Sequence, residues 1–153
     1  MSSPTKAAVL LALAFAMQAC SEGYPADDAP LRNPFDMSNA QRLAALNQLG
    51  ATAHKDRRWS FEMTGGCRLE LQHKRKGARV VKQGIELRRS MKLDVAFDEP
   101  DGTFDVHVMA GAEPHASRMA TLLESAKWTH AVQAELLFQL LVRDCSSAPP
   151  RPG

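Results

Sequence analysis

The feature that most constrains the fold is an alternation of apolar and polar residues that runs, with interruptions, from Trp59 to Val108. Side chains two positions apart on a strand share a face, so this period predicts strands with one buried face. The interruptions at residues 65–66, 74–77 and 100–102 each contain glycine and predict turns. Because the strands follow one another through short turns, we expect an antiparallel meander of about four to five strands.

Two places disturb the alternation. A strand that begins near residues 79–81 is interrupted at Gly84, and apolar residues resume at Ile85. Arg89 then places a charge where the pattern requires an apolar side chain. We therefore expect a β-bulge or a strand boundary near Arg89 and Ser90.

A helix is predicted before the strands. Ser38 and Gln41 have the spacing of a capping box, in which each side chain accepts a hydrogen bond from a free backbone N–H. Leucines follow at helical intervals, and Gly50 is a typical helix stop. These signals predict a helix over residues 39–49.

Helical spacing also marks residues 117–144, which contain neither glycine nor proline. Two apolar stripes fall out of phase around Trp128: Met119, Leu122, Leu123 and Ala126, then Val132, Leu136, Leu137, Leu140 and Leu141. We expect one or two C-terminal helices here, broken at Trp128 and packed on the sheet. Together the elements predict a single small α+β domain.

The amino terminus has the layout of an export signal. A short basic start, Ser2–Lys6, precedes eleven apolar residues, Ala7–Met17. Such a run is too short to span a bilayer, which needs about twenty helical residues. Together with Met17-Gln18-Ala19-Cys20 it resembles a bacterial lipoprotein signal peptide, and the resemblance covers residues 1–20.

The resemblance implies that residues 1–19 are removed and that lipid is attached to the sulfur of Cys20. Ser21, rather than an aspartate, follows the cysteine. In such lipoproteins this implies the cell envelope, at the periplasmic face of the outer membrane. Plain secretion is the alternative, with cleavage at residues 14–16 and Cys20 left as an ordinary thiol.

Composition divides the remaining chain into three parts. Residues 20–35 hold several prolines and little apolar surface, which predicts a flexible tether, and the proline-rich residues 146–153 predict a disordered tail. The intervening residues 36–145 suffice for one domain with one core.

The cysteine count supports export. Of the three cysteines, a lipidated Cys20 leaves Cys67 and Cys145 as a pair. In an oxidising compartment such a pair is normally a disulfide. A CxxC motif is absent, and no histidine lies within four residues of either cysteine, so a metal site is not expected.

Charge is nearly balanced overall but strongly segregated along the chain. Nineteen basic and seventeen acidic side chains give no bulk charge that would indicate nucleic-acid binding. Yet residues 74–92 hold eight basic residues and one acidic residue, and residues 94–113 hold six acidic residues and no Lys or Arg. The hairpin residues proposed to bind a partner are Lys74, Arg75, Lys76 and Arg79. The alternatives are solubility, protection of a strand edge, or pairing between the basic and acidic strands.

Catalytic motifs are absent, and we expect neither a cofactor nor a metal. Asp105 and His107 would share the solvent face of a strand, where they offer a possible acid/base pair. Glu62 and Glu70 could form a carboxylate pair of the glycosidase type, but surface ion pairing with Arg68 is the favoured interpretation.

These observations favour a non-catalytic binding module that is tethered to a membrane by its N-terminal lipid. Its expected partner is an envelope protein or a secreted effector, as for an inhibitor, an immunity protein or an assembly adaptor. The alternatives are a binder of an anionic envelope polymer, through the basic hairpin, and a cell-wall enzyme that uses Asp105 and His107.

Overall fold

The computed structural model describes residues 33–147 and has the predicted α+β class. In chain order the elements are a 3₁₀-helix (Pro34–Asp36), helix α1 (Asn39–Thr52), strands β1 (Arg57–Thr64), β2 (Arg68–Arg75), β3 (Val81–Glu86), β4 (Lys92–Asp98), β5 (Thr103–Met109) and β6 (Arg118–Ser125), and helix α2 (Trp128–Ser147). Helix α2 ends two residues past the predicted domain boundary at residue 145. The predicted signal peptide, Cys20, most of the tether and residues 148–153 lie outside the described residues.

Helix α1 begins as predicted and ends later. The Ser38 side chain accepts a hydrogen bond from the Gln41 backbone N–H at 3.3 Å, and the Gln41 side chain accepts one from the Ser38 N–H at 2.9 Å. The predicted stop at Gly50 is wrong, because the helix continues to Thr52. A side chain at Gly50 would overlap the carbonyl oxygen of Trp59, so this glycine allows α1 to approach β1 closely.

The strands form two antiparallel sheets of three, ordered β1-β2-β3 and β4-β5-β6. The expectation of a single sheet with four to five strands is therefore wrong, although each sheet is a meander. The boundary predicted at Arg89 and Ser90 is confirmed, because residues 87–91 form the connection between the sheets. Within it, the Met91 N–H donates to the Arg88 carbonyl oxygen at 3.0 Å.

Residues 118–125 form strand β6, which corrects the prediction of a helix there. Register shifts along β5 and β6 leave Leu122 unpaired between residues that face His107 and Val106. Leu122 and Leu123 are both fully buried as a result. This β-bulge breaks the period of two and produces an apolar spacing that resembles a helix. A single C-terminal helix remains, and it begins at Trp128, where a break was predicted.

The two helices pack on one another, and α2 also packs on the second sheet. Leu46, Phe61, Val106, Leu137 and Leu141 are among the buried residues of the shared core. Neither helix of the described part has the length and hydropathy that crossing a bilayer would require.

The predicted disulfide between Cys67 and Cys145 is present. It joins the β1–β2 turn to the end of α2, with Cα atoms 5.6 Å apart, which is typical of a disulfide. The bridge therefore closes a loop of the chain that contains strands β2 to β6 and most of α2.

Candidate binding surface

The predicted basic hairpin is fully solvent-exposed. Every residue from Lys74 to Gln83 is exposed. Lys74 and Arg75 end β2, and Lys76 and Arg79 lie in the connection to β3. Gly77 has a positive φ of 77°, which glycine adopts without steric cost and which allows the tight reversal. The four predicted side chains are thus all exposed near one end of the first sheet, but Lys74 and Arg75 are neighbours on a strand and point to opposite faces of it.

The strand register adds two further cations opposite them. Arg58 lies directly opposite Lys74, and Arg57 lies directly opposite Arg75. Like charges that face each other across antiparallel strands destabilise a sheet. Arg57 is compensated by ion pairs with Asp101 and Glu124, so the unfavourable contact that an anion would relieve is that between Arg58 and Lys74.

A shallow concavity of about 380 Å³ lies between these elements. Lys55, Arg58, Lys74 and Lys76 line it with one carboxylate, Asp56. The Lys76 N–H donates to the Asp56 carbonyl oxygen at 2.8 Å, which ties the hairpin to the loop before β1. We call the exposed cations that line this concavity, Lys55, Arg58, Lys74 and Lys76, the basic face, which Arg75 and Arg79 do not line although both are exposed.

Arg58 is held in place by the backbone beside it. Its guanidinium donates to the carbonyl oxygen of Arg57 at 2.9 Å and also to that of His54. Fixing the side chain in advance lowers the entropy lost when a ligand binds. Lys55 and Arg58 escaped the sequence-based prediction because they lie far from the hairpin in sequence. Counting outward from Gly65-Gly66 alone would have placed Arg58 opposite His73, because the turn also includes Cys67.

The pKa values of two histidines are lowered by burial and by the positive charges around this surface. Burial lowers the pKa of His73, and the positive charges of Arg57 and Arg75 lower it further. Burial likewise lowers the pKa of His54, with Arg57 adding to the effect. His73 stacks on Trp59, with ring centroids 4.9 Å apart. Burial and the neighbouring cations therefore both favour the neutral form of the two imidazoles.

The segregation of charge along the sequence places most of these basic residues in the first sheet and most of the acidic residues in the second. Residues 57–86 of the first sheet hold eight basic and three acidic side chains, whereas residues 92–125 of the second hold two and seven. The strands of the first sheet do not pair with those of the second, which excludes the predicted pairing of basic with acidic strands. Arg57 joins the two regions through ion pairs with Asp101 and Glu124.

Asp105 and His107 are buried, which corrects the expectation of a solvent-facing pair. Their exposed fractions are 8% and 5%. Asp105 accepts a hydrogen bond from the Thr103 hydroxyl at 2.8 Å, and the Nδ1 of His107 lies 3.2 Å from the Thr121 hydroxyl oxygen. No hydrogen bond joins the two residues within the described part of the chain. They line an open concavity of about 400 Å³ with Arg118.

The environment of His107 also differs from that of a base oriented by a carboxylate. Burial lowers the pKa of His107, and the charge of Arg118 adds to this effect, whereas Asp105 opposes it more weakly. A carboxylate that orients a catalytic imidazole normally accepts a hydrogen bond from the ring. Here both groups are hydrogen-bonded to threonines instead.

Glu62 and Glu70 lie opposite each other across β1 and β2. Glu70 forms an ion pair with Arg68 at 2.9 Å, which agrees with the surface ion pairing favoured from the sequence. Among residues 33–147, no three His, Cys, Asp or Glu side chains converge in a group that could hold a metal ion. Comparisons of the chain with protein families, curated proteins and solved structures find no match.

Proposed function

We propose that the chain is a lipid-anchored binding module of the cell envelope that holds a protein partner through its basic face. The observation that carries the proposal is the concentration of cations at one end of the first sheet, with Arg58 set against Lys74. The partner is an envelope protein or a secreted effector with an acidic surface. The N-terminal lipid on Cys20 would hold the module at the membrane.

The hairpin also carries apolar surface, which favours a protein partner. Val80 and Val81 are 46% and 60% exposed, and they lie between the cations Arg79 and Lys82. Protein interfaces combine an apolar centre with a polar rim, and complementary charge selects the partner. Two adjacent exposed valines flanked in sequence by cations match this composition.

A binding role without catalysis is supported by the surroundings of the candidate acid/base pair. Asp105 and His107 are each hydrogen-bonded to a threonine and not to each other. The basic face, by contrast, has several exposed cations that form no ion pair within residues 33–147, including Lys55, Lys74 and Lys76.

The test is capture of partners from envelope extracts by the immobilised protein. A charge-reversed variant with Lys74→Glu, Arg75→Glu and Lys76→Glu should lose the partner that wild type retains. The matched control reverses three exposed cations elsewhere, Arg88, Arg118 and Lys127, and so has the same net charge. The partner, once identified by mass spectrometry, is purified and titrated by calorimetry. Equal affinity for wild type and the hairpin variant would contradict the proposal.

Binding of an anionic polymer is the second candidate. Five cations lie within residues 74–82, a density that suits a chain of repeated phosphates or carboxylates. Polymer binding should weaken steeply with salt because surface charges are screened. A protein interface that includes Val80 and Val81 should retain more of its affinity. Substituting both valines by serine would therefore weaken protein binding and leave polymer binding unchanged.

The proposed anchor has its own test. Mass spectrometry of the N-terminal peptide should find Cys20 as the first residue with acyl chains attached. A Cys20→Ala variant should move from the membrane fraction to the soluble fraction. An intact amino terminus that begins at Met1 would contradict the proposed anchoring without affecting the basic face.

A further inference from the structure

Another concave site lies between β4 and helix α2. It is a groove of about 280 Å³ whose floor is formed by Met91, Phe138 and Val142. These three side chains are at most 9% exposed and belong to the core. The helical residues that line the groove are 138, 139, 142, 143 and 146, which share one face of α2.

The rim of this groove is cationic. Arg89, Lys92 and Arg143 all line it and are exposed, and no carboxylate lines it within the described residues. Arg143 contacts the neighbouring Asp144 at 2.9 Å, so its charge is partly compensated. Arg89 and Lys92 form no ion pair with residues 33–147. The position of Arg89 explains the charge that interrupts the apolar pattern of the sequence.

We infer that this groove binds a single-chain anionic amphiphile with a carboxylate head, the chemical class of a fatty acid. The carboxylate accepts hydrogen bonds from the cations of the rim, and the apolar chain lies on the floor. An anionic head matches the cations of the rim and an alkyl chain matches the apolar floor, so a ligand with both parts complements the groove better than a small polar anion or a neutral hydrocarbon. The volume is close to the lower limit of about 300 Å³ for ligand pockets, so it suits one chain rather than a two-chain lipid.

The direct test uses decanoate below its micelle concentration, with decanol and decyltrimethylammonium as controls for charge. Calorimetry should give tighter binding for decanoate than for either control. The methyl signals of Met91 and Val142 in NMR spectra should shift on addition of decanoate. Wild type and variants share one amino terminus, so any binding by residues 1–32 contributes equally to all of them.

The cationic rim is tested by the double variant Arg89→Glu and Lys92→Glu. It should bind decanoate at least about tenfold more weakly, because two charge-assisted contacts become repulsive. Its affinity for decanol should not change, and circular dichroism should confirm that it is folded. The control Arg79→Glu with Lys82→Glu makes the same charge change on the hairpin and should bind decanoate as wild type does.

Three results would overturn the inference. The first is decanoate binding no tighter than decanol, and the second is unchanged decanoate affinity in the Arg89/Lys92 variant. The third is a set of methyl shifts that excludes Met91 and Val142. None of these results would alter binding at the basic face, and loss of partner binding by the hairpin variant would leave decanoate binding intact. The two sites therefore succeed or fail separately.

Discussion

Removal of the Cys67–Cys145 disulfide should cost much of the stability of the domain. The cysteines are 78 residues apart in sequence. In the chain-entropy model, a loop of that length restricts the unfolded chain by about 4.5 kcal/mol. Typical domains are stable by about 5–15 kcal/mol, so the bridge would supply a large share of the total. At a urea m-value of about 2 kcal/mol per molar, the unfolding midpoint should fall by about 2 M.

The experiment compares urea unfolding of two proteins, both carrying Cys20→Ser to remove the third thiol. One retains the disulfide and the other carries Cys67→Ala with Cys145→Ala. Alanine suits position 67 because Cys67 has a positive φ of 67°, and alanine has the same steric difficulty there. The backbone cost therefore cancels in the comparison, and the measured difference reflects the bridge and the lost sulfur atoms.

A reducing agent separates the cross-link from the packing of the sulfur atoms. The reduced protein keeps both sulfurs, so the fall in its midpoint measures the cross-link alone. The alanine variant should not respond to the reducing agent. An unchanged midpoint after verified reduction would refute the entropic argument and would indicate that the reduced, unfolded chain already holds the two cysteines close together.

Gly50→Ala should destabilise the protein by about 1–3 kcal/mol, although alanine has the better helix propensity, because the new methyl group overlaps the β1 backbone. The control is Gly111→Ala, whose methyl group meets no atom within 4 Å and which should change the melting temperature little. Arg42→Met should cost about 2–3 kcal/mol in urea unfolding, because Arg42 is 2% exposed and contacts Asp144 and several other acceptors. Burial alone raises the pKa of Asp144, but hydrogen bonds from Arg42 and Arg143 outweigh it and hold the pKa below 3.8. A lowered folded-state pKa adds stability above the unfolded pKa that disappears as the pH falls through the folded one. Unfolding measured at a series of pH values below about 5 should therefore show a steeper loss for wild type than for Asp144→Asn, and parallel curves would contradict this.

The features that the sequence predicts correctly depend on local patterns. The capping box of Ser38 and Gln41, the hairpin around Gly65-Gly66 and the boundary at Arg89 each require only neighbouring residues. The disulfide follows from the count of cysteines once Cys20 is set aside. The exposed basic hairpin is equally local, because Lys74, Arg75 and Lys76 are consecutive in sequence and Arg79 lies three residues beyond them.

The errors arise where distant parts of the chain meet. Gly50 resembles a helix stop in the sequence, but in the structure it allows α1 to approach Trp59. Leu122 and Leu123 fit a helical pattern because two adjacent residues are buried, which a regular strand with one buried face does not allow. The bulge that buries both is set by pairing with β5. The burial of His107 likewise depends on its position in the central strand of the second sheet. No local pattern contains this information.

The hairpin of β1 and β2 has a different role at each end of its strands. Its turn end carries Cys67 and is fixed to α2, and its open end carries Arg58 opposite Lys74. Eight residues of β-strand span about 27 Å, so the bridge and the basic face lie too far apart for direct interaction.

The open end of this hairpin has its own attachment to the rest of the domain. Arg57 forms ion pairs with Asp101 and Glu124 and is only 13% exposed. These contacts neutralise one of the four opposed cations and fix the strand against the second sheet. The repulsion that remains is between Arg58 and Lys74, which are exposed. The anchored Arg57 therefore stabilises the fold, whereas Lys74 is exposed and forms no ion pair within residues 33–147, so its charge remains open to a ligand.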